Sequence, residues 1–254
     1  MKEFFLLLSK MTFMPVPRRI KAADDSLPRA LRLLPLLGLL CGALLYLAAR
    51  LFVVMPASGA AAMLVAINVM LGGGVMLRDL VTVADGLTAK RLPPNMAVDY
   101  GEYYERPNYR RLGRAGKFWG VGWLLFMFFI YYCFYRFFYA QFILLIPAQV
   151  FSRWIMCWLV YSYPAVFPGW LHREFSKNSF IFSTGLALAI IVPFSSLTLY
   201  SALLAVAAGI YLFAVRRLNA AGALDDGCYG AAVAWGEILF LAVWLSITLL
   251  LKTI

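Results

Sequence analysis

Charge is what this sequence has least of: Asp, Glu, Lys and Arg make up 14% of its 254 residues, against a hydrophobic share of 63%. A water-soluble domain carries about a quarter charged residues, so a soluble globular fold is excluded. Histidine is nearly absent. His172, in GWLHREFSKNS, is the only one, which rules out metal sites built on paired imidazoles and leaves no Ser-His-Asp pattern. A general-base role stays open for it beside plain surface exposure. The cysteines Cys41, Cys133, Cys157 and Cys228 lie far apart, mostly inside apolar runs and without CxxC spacing. Neither a disulfide framework nor a thiolate metal centre is supported. Acidic residues are also few, and the net charge is +11. The basic residues are scattered through short loops and form no arm or patch, so nucleic acid is not an expected partner.

Long apolar runs are what the chain does have. They recur with charges confined between them, as about 30 Å of hydrocarbon requires of helices that satisfy their own backbone groups. A transmembrane barrel is excluded because the runs are continuously apolar and do not alternate with period two. The expected fold is an all-α polytopic transmembrane bundle of about seven spans (six to eight), forming one integral membrane domain over 1–254. Spans are expected at about 33–50, 57–77, 118–137, 139–165, 180–197, 198–215 and 230–251. Pro147, Arg153 and Pro164 fall in the fourth, which leaves open whether it crosses once or is broken or re-entrant. The opening MKEFFLLLSKMTFMPVPRR reads as a short interfacial helix within 1–20, ending at Pro15 and Pro17, and not as a signal peptide.

Lys and Arg set the orientation. The N-terminal segment, the long loop 78–117 and the later loops holding Arg173, Lys177, Arg216 and Arg217 share one side, whereas Arg50, Arg136 and Lys252 fall on the other. The basic side, with the N-terminus, is assigned to the cytoplasm of a cell (inner) membrane. The acidic residues, which that rule does not use, map to the same side apart from Glu237, which lies within a span. Groups available for catalysis therefore face the cytoplasm. A transporter would more often carry ionisable groups near the midplane of an internal repeat.

Several clusters could carry chemistry. In GGGVMLRDLVTVADGL, Asp79 and Asp85 follow an apolar segment and a glycine run. Carboxylates where a helix leaves the membrane can hold Mg²⁺ against a phosphate, although a spacing of six does not put both on one face of a regular helix. Solvated helix-end aspartates are the alternative. Asp225 and Asp226, in LNAAGALDDGCYG, reach the same side by topology, so four carboxylates could converge on a cation; by itself Asp-Asp-Gly is usually a turn. Arg110, Arg111 and Arg114 in YRRLGRAG could grip phosphate by bidentate hydrogen bonds, or could simply be a positive flank that also meets anionic lipid. Arg153, inside an apolar segment, needs a partner or a polar cavity, and Glu237 is a candidate partner. The aromatics of FWGVGWLLFMFFIYYCFYRFFY read as lipid-facing and interfacial.

Four stretches resemble the cobalamin synthase family, the membrane-bound adenosylcobinamide-GDP ribazoletransferases. MTFMPVPRR is similar to the family's Phe-Thr-x-Leu-Pro-x-Pro opening, and RALRLLPLLGLLCGALL to its Pro-x-x-Gly-x-x-x-Gly first span. SRWIMCWLVYSYPAVFPGWLHREF resembles its Gly-Arg-Trp helix and following loop, and GCYGAAVAWGEILFL its Gly-Asp-Thr-Leu-Gly-Ala stretch followed by Glu-Leu-x-Glu. The resemblance implies transfer of the adenosylcobinamide phosphoryl group from its GDP ester to α-ribazole, releasing GMP, with Mg²⁺ as cofactor. Asp85 and Arg111 keep the family's register; with Asp79 they are the expected catalytic residues, and Arg110, Arg114 and Arg153 are the expected phosphate ligands. Asp79, Asp85, Asp225 and Asp226 would hold the metal. The bilayer and the two small-molecule substrates are the expected partners; a homo-oligomer or contact with other cobalamin-assembly proteins stays open.

The chain departs from the family where the family is most acidic. Its loop Gly-Gly-x-His-x-Asp-Gly-Leu-Ala-Asp-Thr-x-Asp-Gly, aligned on Asp85-Gly86, places Met76 at the His, Arg78 at the first Asp and Thr82 at the second; Asp79 takes a glycine position. The family's Asp-Ser-Arg-x-Gly-Thr becomes Tyr109 to Arg114, keeping Arg111 and Gly113, and Gly227 stands at an Asp position just after Asp225 and Asp226. Two readings follow: shifted acids rebuild the site, or the fold persists as a non-enzymatic membrane subunit or corrinoid-binding scaffold.

Overall fold

The computed structural model describes residues 2–12, 14, 27–72, 77, 81, 114–137, 139–162, 175–194, 209 and 226–253, and every regular element among them is helical. In chain order these are α1 (Lys2–Met11), the short α2 (Leu27–Ala30), α3 (Leu34–Leu51), α4 (Ala57–Leu71), α5 (Arg114–Phe137), α6 (Leu145–Ser162), α7 (Lys177–Ile191) and α8 (Asp226–Thr253). Brief 3₁₀ turns flank α3, α6 and α7. Among the described residues, five stretches are long and apolar enough to cross a membrane: Leu31–Val54, Gly120–Phe137, Gln141–Ser162, Lys177–Phe194 and Gly230–Leu250. Together they make the chain a multi-pass helical bundle, as the sequence predicts.

Local chemistry sets the helix ends. Pro35 sits in the first turn of α3, where its missing N–H is no loss. Pro56 precedes α4, and Gly72 closes it with its N–H on the Asn68 carbonyl at 3.0 Å. This second apolar helix therefore stops short of the expected 57–77. Ser176 caps α7, accepting from the Ser179 N–H at 3.2 Å. Pro147 lies in the first turn of α6, so the described part of that segment is one continuous helix from Leu145 to Ser162, entered through the 3₁₀ turn Tyr139–Leu144, while Pro164 lies outside the described residues. The expected span 198–215 lies outside the described residues apart from Gly209. At the N-terminus, α1 ends at Met11, ahead of the two prolines, and turns Leu6, Leu7 and Leu8 into the core while Lys2 and Ser9 stay exposed. That sidedness is what an interfacial helix needs.

The centre of the bundle is α6, which packs against α3, α7 and α8. Its partnership with α3 depends on Gly38 and Gly42. A Cβ added to Gly38 would lie 2.6 Å from the Gln149 carbonyl oxygen, and one added to Gly42 would lie 2.7 Å from the Ile146 Cα. Both clashes are with backbone, which cannot step aside as a side chain could. These glycines, four residues apart, are the two of the Pro-x-x-Gly-x-x-x-Gly motif, and close helix approach is the physical reason for them. Gly38→Ala is expected to destabilise the bundle by about 1–3 kcal/mol through overpacking. Gly122→Ala, whose new methyl would meet nothing within 4 Å, should be neutral or slightly stabilising because it removes helix-interior glycine. Thermal unfolding of the two variants in one detergent separates these outcomes.

The aromatic helix α5 divides its rings. Phe118, Phe126, Phe129 and Phe137 are exposed, as lipid-facing rings should be, but Trp123, Tyr131 and Phe134 are buried against the other helices. Three rings of this aromatic run are therefore core, which its uniform apolarity conceals.

Candidate functional site

Contacts between helices fix which ends share a face. α3 and α6 run antiparallel, Gly38 lying against Gln149 and Val150 and Gly42 against Ile146. α6 and α7 are antiparallel as well, with Trp154 donating to Thr184 at 3.1 Å and Tyr161 stacked on Phe180. Gly236 of α8 meets Ser152 and Ile155, while Phe240 meets Phe151, so α8 also opposes α6. α5 runs parallel to α8: Trp123 Nε1 donates to the Ala234 carbonyl at 3.2 Å, Tyr131 reaches Glu237, and Phe134 packs on Trp244. One end of the bundle thus gathers the starts of α3, α5, α7 and α8 and the end of α6. It is the end where Arg114 opens α5 and Asp226 opens α8. The chain leaving α4 comes to the same end, for Leu77 and Val81, which flank Asp79 in sequence, both lie against Gly120 near the start of α5. Arg50 and Arg136 close α3 and α5 at the opposite end.

The candidate residues divide accordingly. Asp79, Asp85, Arg110, Arg111 and Asp225 lie outside the described residues, as does His172. Arg114 and Asp226 are described as helix starts only. Among the described residues no three of His, Cys, Asp and Glu gather closely enough to hold a metal ion.

Arg153 is fully described, and it sits at the heart of the bundle with 2% of its surface exposed. Its Nη1 donates to the Gln149 carbonyl at 3.2 Å and to the Gln149 side-chain oxygen. Gln149 Nε2 donates to Asn68 Oδ1 at 3.3 Å, and Asn68 Nδ2 donates to Glu237 Oε1 at 2.7 Å. The Tyr131 hydroxyl donates to the same carboxylate oxygen at 3.1 Å and accepts from Asn68 Nδ2 at 3.1 Å. Arg153 and Glu237 are thereby joined through two amides. All five residues are buried, and they come from α4, α5, α6 and α8. Two opposite charges and their hydrogen-bond partners thus tie four helices together in an apolar interior, where a lone charge would be very costly.

The partnership of Arg153 with Glu237 was legible in the sequence, but Asn68, Tyr131 and Gln149 were not singled out. A signal existed: an Asn in AINVML and a Gln one helical turn before Arg153 are polar groups inside apolar spans. The contacts observed for Arg153 are those of an interior network, and they place its guanidinium among packed helices.

A bundle of apolar helices tied together by a buried polar network defines a class: multi-pass helical membrane proteins. The chain matches the cobalamin-5-phosphate synthase family over residues 3–99 and 110–245, and it belongs to that family. It is also similar to the adenosylcobinamide-GDP ribazoletransferase of Desulfitobacterium hafniense (strain Y51), 31% identical over 97 residues. That alignment spans 38% of this chain and 38% of the relative. No solved structure matches.

Proposed function

We propose that this chain is a membrane-bound transferase of late cobalamin biosynthesis that joins adenosylcobinamide-GDP to α-ribazole, giving adenosylcobalamin and GMP. The P–O bond between the cobinamide phosphate and GMP breaks, the ribose hydroxyl of α-ribazole forms the new P–O bond, and its proton is released. The observation that carries this reading is the family match, which runs through nearly every helix of the bundle and includes the glycine loop with Asp79 and Asp85. The convergence of α5, α8 and the chain after α4 at one end supports it, because a bulky, polar pair of substrates needs such a face.

Asp79, Asp85, Asp225 and Asp226 are proposed to hold Mg²⁺, for which carboxylate oxygens are suitable donors. When bound, the cation would neutralise the diphosphate and the charge growing on departing GMP. Arg110, Arg111 and Arg114 would orient the phosphates through planar, bidentate hydrogen bonds. Arg153 is given an indirect part: it holds Gln149, and through the network it sets the register of α8, which begins at Asp226. The positive-inside bias supports a reacting face on the cytoplasmic side.

A second reading has its own observation. Met76, Arg78 and Thr82 occupy positions that are acidic or basic-catalytic in the family motif, and a cation at Arg78 opposes a metal. On that reading the fold serves as a corrinoid-binding scaffold without turnover. Purified protein supplied with adenosylcobinamide-GDP, α-ribazole and Mg²⁺ decides between them. GMP release is expected; corrinoid binding without GMP release would establish the scaffold instead, and substrate uptake by sealed vesicles would point to a transporter.

A further inference from the structure

The chain that leaves α4 is fastened at two places. Upstream is Asn68, in the last turn of α4. Its carbonyl accepts the Gly72 N–H, and its side chain is hydrogen-bonded to Glu237, Tyr131 and Gln149. Downstream are Leu77 and Val81, both helical and four residues apart, the spacing that puts two side chains on one helix face. Val81 is buried, and Leu77 packs against the hydrophobic core. The glycine run lies between the two fastenings, and Asp79 lies midway between Leu77 and Val81 in sequence.

Leu77 and Val81 rest on Gly120. The inward stripe of α5 is Gly120, Trp123, Met127 and Ile130, while Phe118, Val121 and Leu125 are exposed. A Cβ at Gly120 would lie 2.9 Å from Val81 Cγ2 and 3.9 Å from Leu77 Cδ1. Apolar carbons pack best about 3.5–4.0 Å apart, so the first distance is a clash and the second an ordinary contact. Val81 has little freedom to turn away, because a β-branched side chain in a helix holds essentially one rotamer. The backbone has to move by roughly 0.5–1 Å instead, and it carries the neighbouring residues with it. Gly122, also in α5, has nothing within 4 Å of the place its Cβ would take. The need for glycine is thus specific to the position where the Asp79 segment docks. One step along the same stripe, Trp123 Nε1 donates to the Ala234 carbonyl of α8. The first turns of α5 therefore hold both the Asp79 segment and the helix that begins at Asp226.

We propose that Gly120 is a positioning residue: its missing side chain is the seat that fixes where the Asp79 segment stands against α5 and, through α5, relative to α8. Gly120 offers no group to a substrate and acts through Leu77 and Val81. The proposal rests on the transfer reaction proposed above.

The test compares Gly120→Ala, Gly122→Ala, Val81→Ala and Gly120→Ala/Val81→Ala as full chains in one detergent, with rates taken per folded protein. Gly120→Ala should lower kcat for GMP release on the order of 10–100-fold, the scale of a misplacement of about 1 Å. KM for adenosylcobinamide-GDP should change less than about threefold, because what is lost is made mainly in the transition state. Gly122→Ala should keep the wild-type kcat. In the double variant the smaller side chain at position 81 makes room for the new methyl, and kcat should return to within about threefold of Val81→Ala alone. A purely structural glycine would lower the unfolding temperature and leave kcat per folded protein unchanged. A second readout needs no turnover: the Mg²⁺ concentration giving a half-maximal rise in unfolding temperature, at ionic strength held constant with sodium chloride. It should increase about tenfold in Gly120→Ala and recover in the double variant. GMP release by wild type, with kcat and Mg²⁺ response unchanged in Gly120→Ala, would overturn the seat and leave the reaction standing. No GMP release by wild type, together with the Mg²⁺ shift and its recovery, would overturn the reaction and keep the seat for the glycine loop. No GMP release and no difference in Mg²⁺ response between Gly120→Ala and Gly122→Ala would overturn both.

Discussion

Glu237→Ala is expected to cost the bundle about 3–5 kcal/mol, enough to leave little folded protein in detergent at the growth temperature. The carboxylate is 2% exposed and accepts hydrogen bonds from Asn68 and Tyr131. Its removal leaves the Tyr131 hydroxyl without its acceptor and Asn68 Nδ2 with only Tyr131, at about 1–3 kcal/mol for a buried group left unpaired. Arg153, also 2% exposed, loses the acid at the far end of its hydrogen-bond chain through Gln149 and Asn68. Glu237→Gln should be milder, because the amide oxygen can still accept from both donors while the charge compensation is lost. The informative comparison is Arg153→Met with Glu237→Leu: if the network acts as a compensated ion pair, the double variant regains much of what Glu237→Ala loses, since apolar replacement of both partners is often neutral. Unfolding of the set in one detergent provides the measurement. Glu237→Ala within about 0.5 kcal/mol of wild type would show that the four helices do not depend on the network.

The helices were legible because hydrocarbon thickness and continuous apolarity are local properties of the chain. What stayed hidden depends on rotation about helix axes. Nothing in AINVML states that Asn68 faces Glu237, 169 positions later in the chain, because a nearly all-apolar helix has no polar stripe to set its rotation. Hence the expected Arg153–Glu237 partnership was found in a longer form, with Gln149 and Asn68 between the two charges. Pro147 could have broken α6, and only its place in the first turn made it harmless. Gly38 and Gly42 could be read as a motif, but the backbone they approach, at Gln149 and Ile146, could not. For the candidate site, sequence placed the acids on one side. The structure adds that α5 and α8 run parallel and bring Arg114 and Asp226 to the same end.

On the proposed reaction, Asp85→Asn should lower GMP release by at least about 100-fold, the scale seen when one group that stabilises transition-state charge is removed. Asp85 is the one acid of the glycine loop that keeps the register of the family motif, so it has the strongest claim to the metal. Asparagine preserves size and one oxygen, so unfolding temperature should not change and a loss of rate can be assigned to lost charge. Asp79, Asp225 and Asp226 would act by completing the coordination sphere from shifted positions. Their asparagine variants should mainly raise the Mg²⁺ concentration needed for half-maximal rate, on the order of 10–100-fold, with much of the maximal rate recovered at saturating metal. The expected contrast, a loss of rate at Asp85 against a shift in metal requirement at the other three, distinguishes a rebuilt site from one that has lapsed. Arg78 sharpens the test, because it stands where the family has a carboxylate and would repel the cation. Arg78→Asp should lower the Mg²⁺ requirement if the loop still folds around a metal. Were Arg78→Asp to leave the requirement unchanged and Asp85→Asn to leave the rate unchanged, the metal would have to be held elsewhere, and this loop would no longer be the site.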